Sequence, residues 1–208
     1  MNFEKLSFEK LVLALASDAP TPGGGTAAAL AGAMGASLAE MVAALTVAKE
    51  KYAASHGAVR PIGEAAARAR EKLLRLAEED AISYDAVVAA RRLPKDTDGE
   101  RTERSRRIGE ANRVAAEVPM RTAREAAGVL TFLPELAEKG NPNAASDAGA
   151  AALLLEAAVQ AALLNVGINL SGVPDTELAA RMTEEADRLG HEAGRLRERT
   201  LATVRARI

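Results

Sequence analysis

The chain has 208 residues, enough for one domain with a sizeable core, and its 27 Lys and Arg nearly balance its 29 Asp and Glu. The net charge of -2 and the 2% aromatic content argue against nucleic acid as a partner. The absence of cysteine excludes disulfides and thiolate chemistry, and two histidines leave little material for a His-rich metal site or a Ser-His-Asp triad.

The N-terminal segment gives no sign of a secretion signal. The opening "MNFEKLSFEK" carries charges where a signal peptide would have its apolar segment. The segment 26–48 is apolar, but it consists mainly of Ala and Gly and contains Glu40. This composition favours a closely packed buried helix over a membrane span. We therefore expect a cytoplasmic protein without a membrane partner.

The pattern of apolar residues predicts helices along the whole chain and no strands. The predicted helices are 4–17, 26–54, 61–92, 100–139, 143–170 and 175–206, separated by "SDAPTPGGG", "SHGAVRP", "LPKDTDGE", "KGNPN" and "LSGVPDT". Pro119 and Pro134 predict a kink or split in the fourth helix. Long helices joined by short loops indicate an all-α antiparallel bundle, in a single domain over 1–208.

The predicted core is built from small residues. Gly32, Gly35 and many alanines between 23 and 44 let helix backbones approach closely. Such surfaces bury less apolar area than Leu- or Phe-rich ones, and burial contributes about 25 cal/mol per Å². We therefore expect a homodimer, in which a subunit interface supplies the missing burial.

Asp80 interrupts the apolar stripe of the predicted helix 61–92. The stripe advances by three or four residues at a time and consists of Ile62, Ala66, Ala69, Leu73 and Leu76. The next position is Asp80, so a carboxyl group stands where the pattern requires an apolar side chain. Burial raises the pKa of a carboxyl toward the range of a general acid. The alternative is that the stripe drifts and leaves Asp80 at a solvated edge beside Glu78 and Glu79.

Asn165 and Asn169 lie four residues apart on one face of the apolar run "AALLNVGINL". Asparagine is a poor interior residue of a helix, so two on one apolar face need hydrogen-bond partners. Asp147 lies near the same face, in the first turn of the predicted helix. An N-cap by Asn143 and a favourable interaction of Asp147 with the helix dipole give a purely structural interpretation. Taken together, these polar residues indicate a pocket in the bundle.

The run "PTPGGGTAAAL" places Gly23, Gly24 and Gly25 at the start of a predicted helix. It is not a Walker loop, since no Gly-Lys-Ser/Thr follows, and no strand precedes it as in a dinucleotide fingerprint. Free backbone N–H groups at a helix start can bind a carboxylate, phosphate or carbonyl oxygen. A flexible turn would need one glycine rather than three, so we interpret the run as a ligand contact.

Seven segments occur together in an order typical of one family. They are "SDAPTPGGGTAAALAGAMGASLAEMVAALT", "KEKY", "EEDAISYDA", "LPKDT", "EVP", "KGNPNAASDAGAAA" and "NVGINL". In these segments the chain resembles the cyclodeaminase / methenyltetrahydrofolate cyclohydrolase family, which includes the C-terminal half of formiminotransferase-cyclodeaminase. The resemblance covers nearly the whole chain, and the combination of PGGG[ST], GNxNxxSD and NVxxNL is highly specific.

The resemblance implies an all-α homodimer that acts on a tetrahydrofolate and uses no metal or organic cofactor. A cyclodeaminase closes N10 of 5-formiminotetrahydrofolate onto the formimino carbon and releases ammonia, which gives 5,10-methenyltetrahydrofolate. A cyclohydrolase adds water to the methenyl bridge and gives 10-formyltetrahydrofolate. We expect the cyclodeaminase, because the resemblance runs through the whole second half of the two-domain enzyme, with the cyclohydrolase as the alternative. A separate formiminotransferase is then a candidate partner.

The resemblance also implies roles for individual residues. Asp80 matches the acidic proton donor of the family, and Gly23, Gly24 and Gly25 match the glycines that we expect to approach the pterin or a substrate carboxylate. The residues implied in pterin binding are Asn141, Asn143, Ser146, Asp147, Asn165 and Asn169. Thr46 ends the Leu-Thr motif of the family and Lys49 follows it, so both are candidates for substrate binding.

The chain departs from the family after that motif. The family usually has Gly-Lys-Lys there, whereas this chain reads "LTVAKEKY", with Ala48 and Glu50 in place of the glycine and of one basic residue. A role for Lys49 in holding the glutamate tail of a folate is therefore open. Tyr52 and Tyr84 lie in family motifs but are equally consistent with packing. A non-catalytic helical dimer that binds folate or only a protein partner is the remaining alternative.

Overall fold

The computed structural model describes residues 6–208, and this part of the chain is helical without a strand. Its seven α-helices are α1 (Phe8–Leu15), α2 (Gly24–Val47), α3 (Ala53–Arg91), α4 (Asp98–Leu130), α5 (Leu133–Lys139), α6 (Ala145–Leu170) and α7 (Thr176–Arg205). Short 3₁₀ turns at Glu50–Tyr52 and Pro142–Ala144 precede α3 and α6. The predicted all-α class is confirmed, while the first two residues of the predicted helix 4–17 lie outside the described residues.

Four of these helices form a bundle in the ring order α2, α3, α4 and α6, in which each helix packs against two neighbours. α2 and α6 run antiparallel, as shown by the contacts of Gly24 with Asn165 and of Gly35 with Leu155. α7 packs on the outside of the bundle, mainly against α6 and α5. The start of α2 and the end of α6 therefore meet at the same end of the bundle.

α3 continues through Pro61, where the segment "SHGAVRP" predicted a break. A proline at this position removes the hydrogen bond to the carbonyl of Gly57. Pro61 and Gly57 are both exposed, so water can bind that carbonyl. The predicted break is wrong because the freed carbonyl is open to solvent and the buried residues Val59 and Ile62 hold α3 against the core on either side.

α4 also runs through Pro119, and the split predicted for 100–139 occurs just before Pro134. Pro134 lies in the first turn of α5, where a proline fits because its missing N–H would have no partner within the helix. At the other end of α4, the Thr97 hydroxyl accepts a hydrogen bond from Glu100 N, and the Glu100 carboxylate accepts one from Thr97 N. This capping box fixes the start of α4.

The packing around α2 depends on missing side chains. A Cβ atom on Gly32 would lie 3.2 Å from Leu73 Cδ2, and one on Gly35 would lie 2.8 Å from Leu155 Cγ. The two glycines therefore let α3 and α6 approach α2 closely, as the sequence predicted.

Two helical segments, Gly24–Val47 and Pro142–Leu170, are long and apolar enough to cross a membrane by length and composition alone. The core helices of water-soluble proteins meet the same criterion. Half of the apolar α2 window (50%) is buried within the bundle, and Glu40 of α2 forms an ion pair with Arg70 of α3 at 2.9 Å. We interpret both segments as bundle helices with one buried and one exposed face.

Candidate functional site

A cavity of about 300 Å³ lies at the end of the bundle where α2 begins and α6 ends. Its walls come from the loop before α2, the first turn of α2, and parts of α3, α4 and α6. The polar and glycine residues that line it include Gly23, Gly24, Gly25, Asp80, Tyr84, Arg91, Asn112, Asn165, Asn169 and Gly172. The fold thus brings together residues that the sequence analysis singled out: the glycine run, Asp80, and Asn165 and Asn169 at the end of α6.

Asp80 reaches the cavity from the core stripe of α3. Leu76 and Ser83, before and after it on the same stripe, are buried, and Asp80 itself is half-buried. Asp80 Oδ2 accepts a hydrogen bond from the Thr26 hydroxyl at 3.0 Å. Burial raises the pKa of the Asp80 carboxyl above its usual range, and hydrogen bonds from the side chain and backbone of Thr26 lower it in part. Asp80 is thus half-buried, as are Glu78 and Glu79, and its carboxyl lines the cavity, while its role in catalysis stays a prediction.

The Asp80 carboxyl lies at the N-terminus of α2. The N-cap residue, Gly23, has no side chain to bind the free N–H groups of the first turn, and that turn contains no acidic residue. Thr26, in the first turn, is the residue that bonds to Asp80. α3 therefore supplies the negative charge that the positive end of the α2 dipole favours.

The glycine run provides space rather than unusual backbone angles, since no glycine within residues 6–208 has a positive φ. A Cβ atom on Gly25 would lie 2.6 Å from Asp80 Cγ, a distance that real Cβ atoms do not show. A Cβ atom on Gly24 would lie 3.3 Å from Asn165 Nδ2. The missing side chain of Gly25 therefore leaves room for the Asp80 carboxyl, and that of Gly24 leaves room for the Asn165 amide.

Asn165 and Asn169 are both half-buried and each uses its amide nitrogen to bind backbone. Asn165 Nδ2 donates to the carbonyl of Ala161 at 2.8 Å, and Asn169 Nδ2 donates to the carbonyl of Ala115 in α4 at 2.7 Å. The second bond ties α6 to α4, as expected for an asparagine on an apolar face. Their amide oxygens have no donor in the described part of the chain, so each can accept a hydrogen bond from a ligand.

Asn112 and Thr26 line or support the cavity, although the sequence analysis did not single them out. Asn112 is buried, and its Nδ2 donates to the carbonyl of Gly172 at 3.0 Å. A Cβ atom on Gly172 would lie 2.7 Å from Asn112 Cγ, so this glycine is required for the contact. Asn112 carries the same signal as Asp80, a polar residue at a core position of its helix.

Thr46 and Asn141 lie at the opposite end of α2. Thr46 follows Gly25 by 21 residues, or about 32 Å along a helix at 1.5 Å per residue. Asn141 N donates to Thr46 Oγ1 at 2.8 Å, and both residues are buried. The Tyr52 hydroxyl donates to Asn141 Oδ1 at 3.0 Å. These three residues form a hydrogen-bonded support that joins the end of α2 to the start of α6.

The other predicted substrate-binding residues surround that support. Lys49, Asn143 and Ser146 are exposed, and Asp147 is half-buried in the first turn of α6. The expected N-cap by Asn143 is wrong, because α6 is capped at Ala144 and Asn143 only donates its backbone N–H to the side chain of Asn141. Eighteen residues, or about 27 Å of helix, separate Asp147 from Asn165. Within one chain, the predicted residues therefore form two groups rather than one pocket.

A wider groove of about 710 Å³ lies beside α4 and the start of α7, and it contains none of the predicted site residues. Two of its arginines are already paired, Arg101 with Asp98 and Arg106 with Glu103. Within residues 6–208, no group of three or more His, Asp or Glu side chains is arranged to hold a metal ion. Catalysis without a metal or organic cofactor stays a prediction.

Comparison with known proteins assigns the family. The family model described as formiminotransferase-cyclodeaminase matches residues 7–188. A protein of Methylorubrum extorquens named methenyltetrahydrofolate cyclohydrolase is 40% identical over 97% of both chains. Formimidoyltransferase-cyclodeaminase of Sus scrofa is 35% identical over 85% of this chain, but the match spans only 33% of that protein.

The fold agrees with a solved structure of the same group. The crystal structure of formiminotetrahydrofolate cyclodeaminase from Thermotoga maritima matches with a TM-score of 0.87 and 33% identity over 98% of both chains. Since the family model spans most of the chain and these relatives agree with it, the chain belongs to the formiminotransferase-cyclodeaminase family of folate-processing enzymes.

Proposed function

We propose that the protein is an enzyme of folate one-carbon metabolism. Asp80 is its general acid and base, which transfers a proton during the reaction at the one-carbon bridge of a tetrahydrofolate. The observation that carries this proposal is the half-buried Asp80 carboxyl, whose pKa is raised, inside a cavity shared with the α2 N-terminus and two asparagines. A carboxyl with a raised pKa can both donate and accept a proton near neutral pH.

Of the two reactions, we propose hydrolysis of 5,10-methenyltetrahydrofolate to 10-formyltetrahydrofolate. Its support is the relative named methenyltetrahydrofolate cyclohydrolase, which is 40% identical and matches over 97% of both chains. The fusion proteins of Sus scrofa and Rattus norvegicus are 35% and 31% identical and match over about a third of their length. This order differs from the sequence resemblance, which favoured the cyclodeaminase.

In the proposed reaction, a water oxygen attacks the methenyl carbon while the Asp80 carboxylate takes a proton from that water. The bond from this carbon to N5 then breaks, and the Asp80 carboxyl donates the proton to N5. The remaining hydroxyl proton leaves as the formyl C=O forms on N10, so one proton is released for each cationic substrate. The amide oxygens of Asn165 and Asn169 suit the N–H donors of a pterin edge.

Cyclodeamination is the second candidate, and the Thermotoga maritima cyclodeaminase structure, with its TM-score of 0.87, favours it. In that reaction the protonated Asp80 carboxyl would donate to the departing amine, and the carboxylate would take the proton of N10. A formiminotransferase would then supply the substrate, in keeping with the fused names of the relatives at 31–35% identity.

One spectroscopic experiment separates these functions. The methenyl chromophore is followed in two runs, one starting from 5,10-methenyltetrahydrofolate and one from 5-formiminotetrahydrofolate, each against a protein-free control. Accelerated loss in the first run alone supports the cyclohydrolase, and accelerated growth in the second supports the cyclodeaminase. Silence in both runs supports a non-catalytic binding protein. Unchanged turnover by Asp80→Asn would remove Asp80 from the mechanism.

We further propose that the protein is a cytoplasmic homodimer. The homodimer is supported by six large apolar residues of α2 and α6 that are exposed in the single chain: Met34, Met41, Leu45, Leu153, Leu164 and Ile168. Monomeric proteins rarely expose large contiguous apolar areas, and such areas mark interaction surfaces. Light scattering of the purified protein measures the oligomeric state directly.

A further inference from the structure

One face of α3 forms a wall of the cavity. The α3 residues that line the cavity are Asp80, Ser83, Tyr84, Val87 and Arg91. Their spacing of three or four residues places them on one side of the helix. The eleven residues from Asp80 to Arg91 make three turns, or about 16 Å of helix. Asp80 and Arg91 therefore mark the two ends of this wall.

The two ends of the wall carry opposite charges. Within residues 6–208, Asp80 and Arg91 are the only charged side chains that line the cavity. They are not paired with each other, since the Asp80 carboxyl bonds to Thr26 instead. Tyr84 and the buried Val87 lie between them and give the wall an apolar middle. The wall therefore suits a ligand with a positive end, an apolar middle and a negative end.

The backbone at Arg91 is held in place, whereas its guanidinium is free. Arg104 of α4 donates two hydrogen bonds to the Arg91 carbonyl, from Nε at 3.2 Å and from Nη2 at 3.0 Å. The Arg91 guanidinium makes no hydrogen bond or ion pair with the described residues, and the residue is exposed. A cation in the last turn of α3 also stabilises the negative end of the helix dipole, which is a purely structural role. Its position on the cavity wall gives Arg91 access to a ligand as well.

The substrate of the proposed function has the matching order of charges. In 5,10-methenyltetrahydrofolate the bridge between N5 and N10 is positive, the aminobenzoyl ring is apolar, and the glutamate carries carboxylates. Ordinary bond lengths place these carboxylates roughly 10–13 Å from the bridge carbon. The side chains of Asp80 and Arg91 span the rest of the distance between their backbones. An ionised Asp80 attracts the bridge and repels the carboxylates, so the glutamate is directed to the other end of the wall.

We propose that a folate lies along α3 with its one-carbon bridge at Asp80, and that Arg91 binds a glutamate carboxylate. This inference rests on the proposed function and specifies how its substrate is oriented. The cavity of about 300 Å³ is at the lower limit for small-molecule sites, so the pterin fills it and the glutamate extends to the exposed Arg91. A guanidinium presents parallel N–H donors to a carboxylate, which favours arginine over lysine at this position.

Steady-state kinetics with the folate that the wild type turns over tests the assignment. Arg91→Ala is expected to raise KM about tenfold, as for the loss of a charge-assisted hydrogen bond, and to leave kcat unchanged because Asp80 is retained. Arg91→Lys should recover part of the affinity. Arg92→Ala is the matched control, since Arg92 is the next residue and exposed but does not line the cavity. An unchanged KM in Arg91→Ala would overturn the proposal.

Calorimetry gives a readout that does not depend on activity. The ligands are 5-formyltetrahydrofolate and its diamide, in which both glutamate carboxylates are replaced by neutral amides of the same shape. The wild type and Arg92→Ala are expected to bind the charged ligand about tenfold more tightly, and Arg91→Ala should bind both ligands equally. If Arg91→Ala weakens both ligands by the same factor, its role is structural and the proposal is overturned. A wild type that does not discriminate between the two ligands would overturn it too.

The two experiments separate this inference from the proposed function. A wild type that discriminates between the ligands through Arg91 but turns over neither folate would refute the proposed function and retain the orientation of the ligand. Turnover of a folate with an unchanged KM in Arg91→Ala would retain the function and refute the inference. Failure of the wild type to bind either ligand or to turn over either folate would refute both.

Discussion

The carboxyl carbon of Asp80 packs so close to Gly25 that a Cβ atom there would lie 2.6 Å from it. This contact places the carboxyl against the first turn of α2, within reach of the Thr26 hydroxyl. The same contact excludes solvent from one side of the carboxyl and so contributes to the burial that raises its pKa. Glycine at position 25 is thus a condition for the chemistry of Asp80.

Gly25→Ala is expected to lower kcat/KM by about 100-fold, because a displacement near 1 Å at a reacting group costs roughly that factor. The methenyl chromophore assay measures this change. Gly128→Ala is the matched control, since its Cβ would meet nothing within 4 Å and it lies inside α4. The control should raise the free energy of unfolding by about 0.4–1 kcal/mol and leave turnover unchanged. Equal turnover of Gly25→Ala and Gly128→Ala would contradict this account of the glycine run.

Asp80→Asn is expected to abolish turnover and to stabilise the fold at neutral pH. The pKa of Asp80 is higher in the folded chain than its ordinary value of 3.8, so between these two pKa values the folded state binds more protons. The wild-type free energy of unfolding therefore falls as pH rises through that window, by about 1.4 kcal/mol for each pH unit between them.

Thermal unfolding of both proteins from acidic to neutral pH checks the stability of Asp80→Asn. The variant should have the higher Tm at neutral pH, and the difference should shrink as pH falls below 3.8, where the wild-type carboxyl becomes protonated in both states. A difference in Tm that does not depend on pH would show that the titration of Asp80 is not its cause.

Thr26→Val is expected to move the acidic limb of the pH profile to higher pH. The Thr26 hydroxyl bonds to Asp80 Oδ2 at 3.0 Å and lowers the pKa of the carboxyl, so its loss raises that pKa further. In hydrolysis the carboxylate is the active form, and kcat/KM rises as pH passes through this pKa. The profile is measured with background hydrolysis subtracted. An unshifted limb in Thr26→Val would mean that another group controls it.

Thr46→Val is expected to destabilise the fold more than Thr200→Val. Both threonines are fully buried, and each hydroxyl donates to the carbonyl four residues earlier, at 2.7 Å in Thr46 and 2.8 Å in Thr200. Only Thr46 also accepts from a buried backbone N–H, that of Asn141. Leaving that N–H without a partner costs about 1–3 kcal/mol, so denaturant unfolding should show an excess of this size. Equal losses would show that water or another acceptor replaces Thr46.

The sequence alone was sufficient to predict the helical class and to single out Asp80 as a carboxyl on the apolar stripe of its helix. Both follow from the spacing of apolar residues, which records the face that each helix buries. Asn112 is also a polar residue at a core position of its helix, but the sequence did not predict it as a site residue, because the many charges of α4 obscure its apolar stripe. The break expected at Pro61 did not form, since whether a proline interrupts a helix depends on the solvent access of the carbonyl four residues earlier.

The sequence could not predict that the candidate site residues form two groups at opposite ends of the bundle. Gly24 and Asn165 meet at one end of the bundle, while Thr46 and Asn141 meet at the other. Both pairs are distant in sequence, and only the antiparallel arrangement of α2 and α6 decides which partner each residue finds. A motif records which residues occur, but not the end of a helix pair at which they meet.

The 39-residue α3 extends for about 58 Å, from Ala53, which follows Tyr52 of the hydrogen-bonded support, to Arg91 at the cavity. Because α3 is one continuous helix, it holds the two ends of the bundle at a fixed distance from each other. Any closure around a bound folate must therefore occur in the connections that border the cavity, the loop ahead of α2 and the loop after α6. We expect substrate to slow amide hydrogen exchange in these two loops and to leave α3 unchanged.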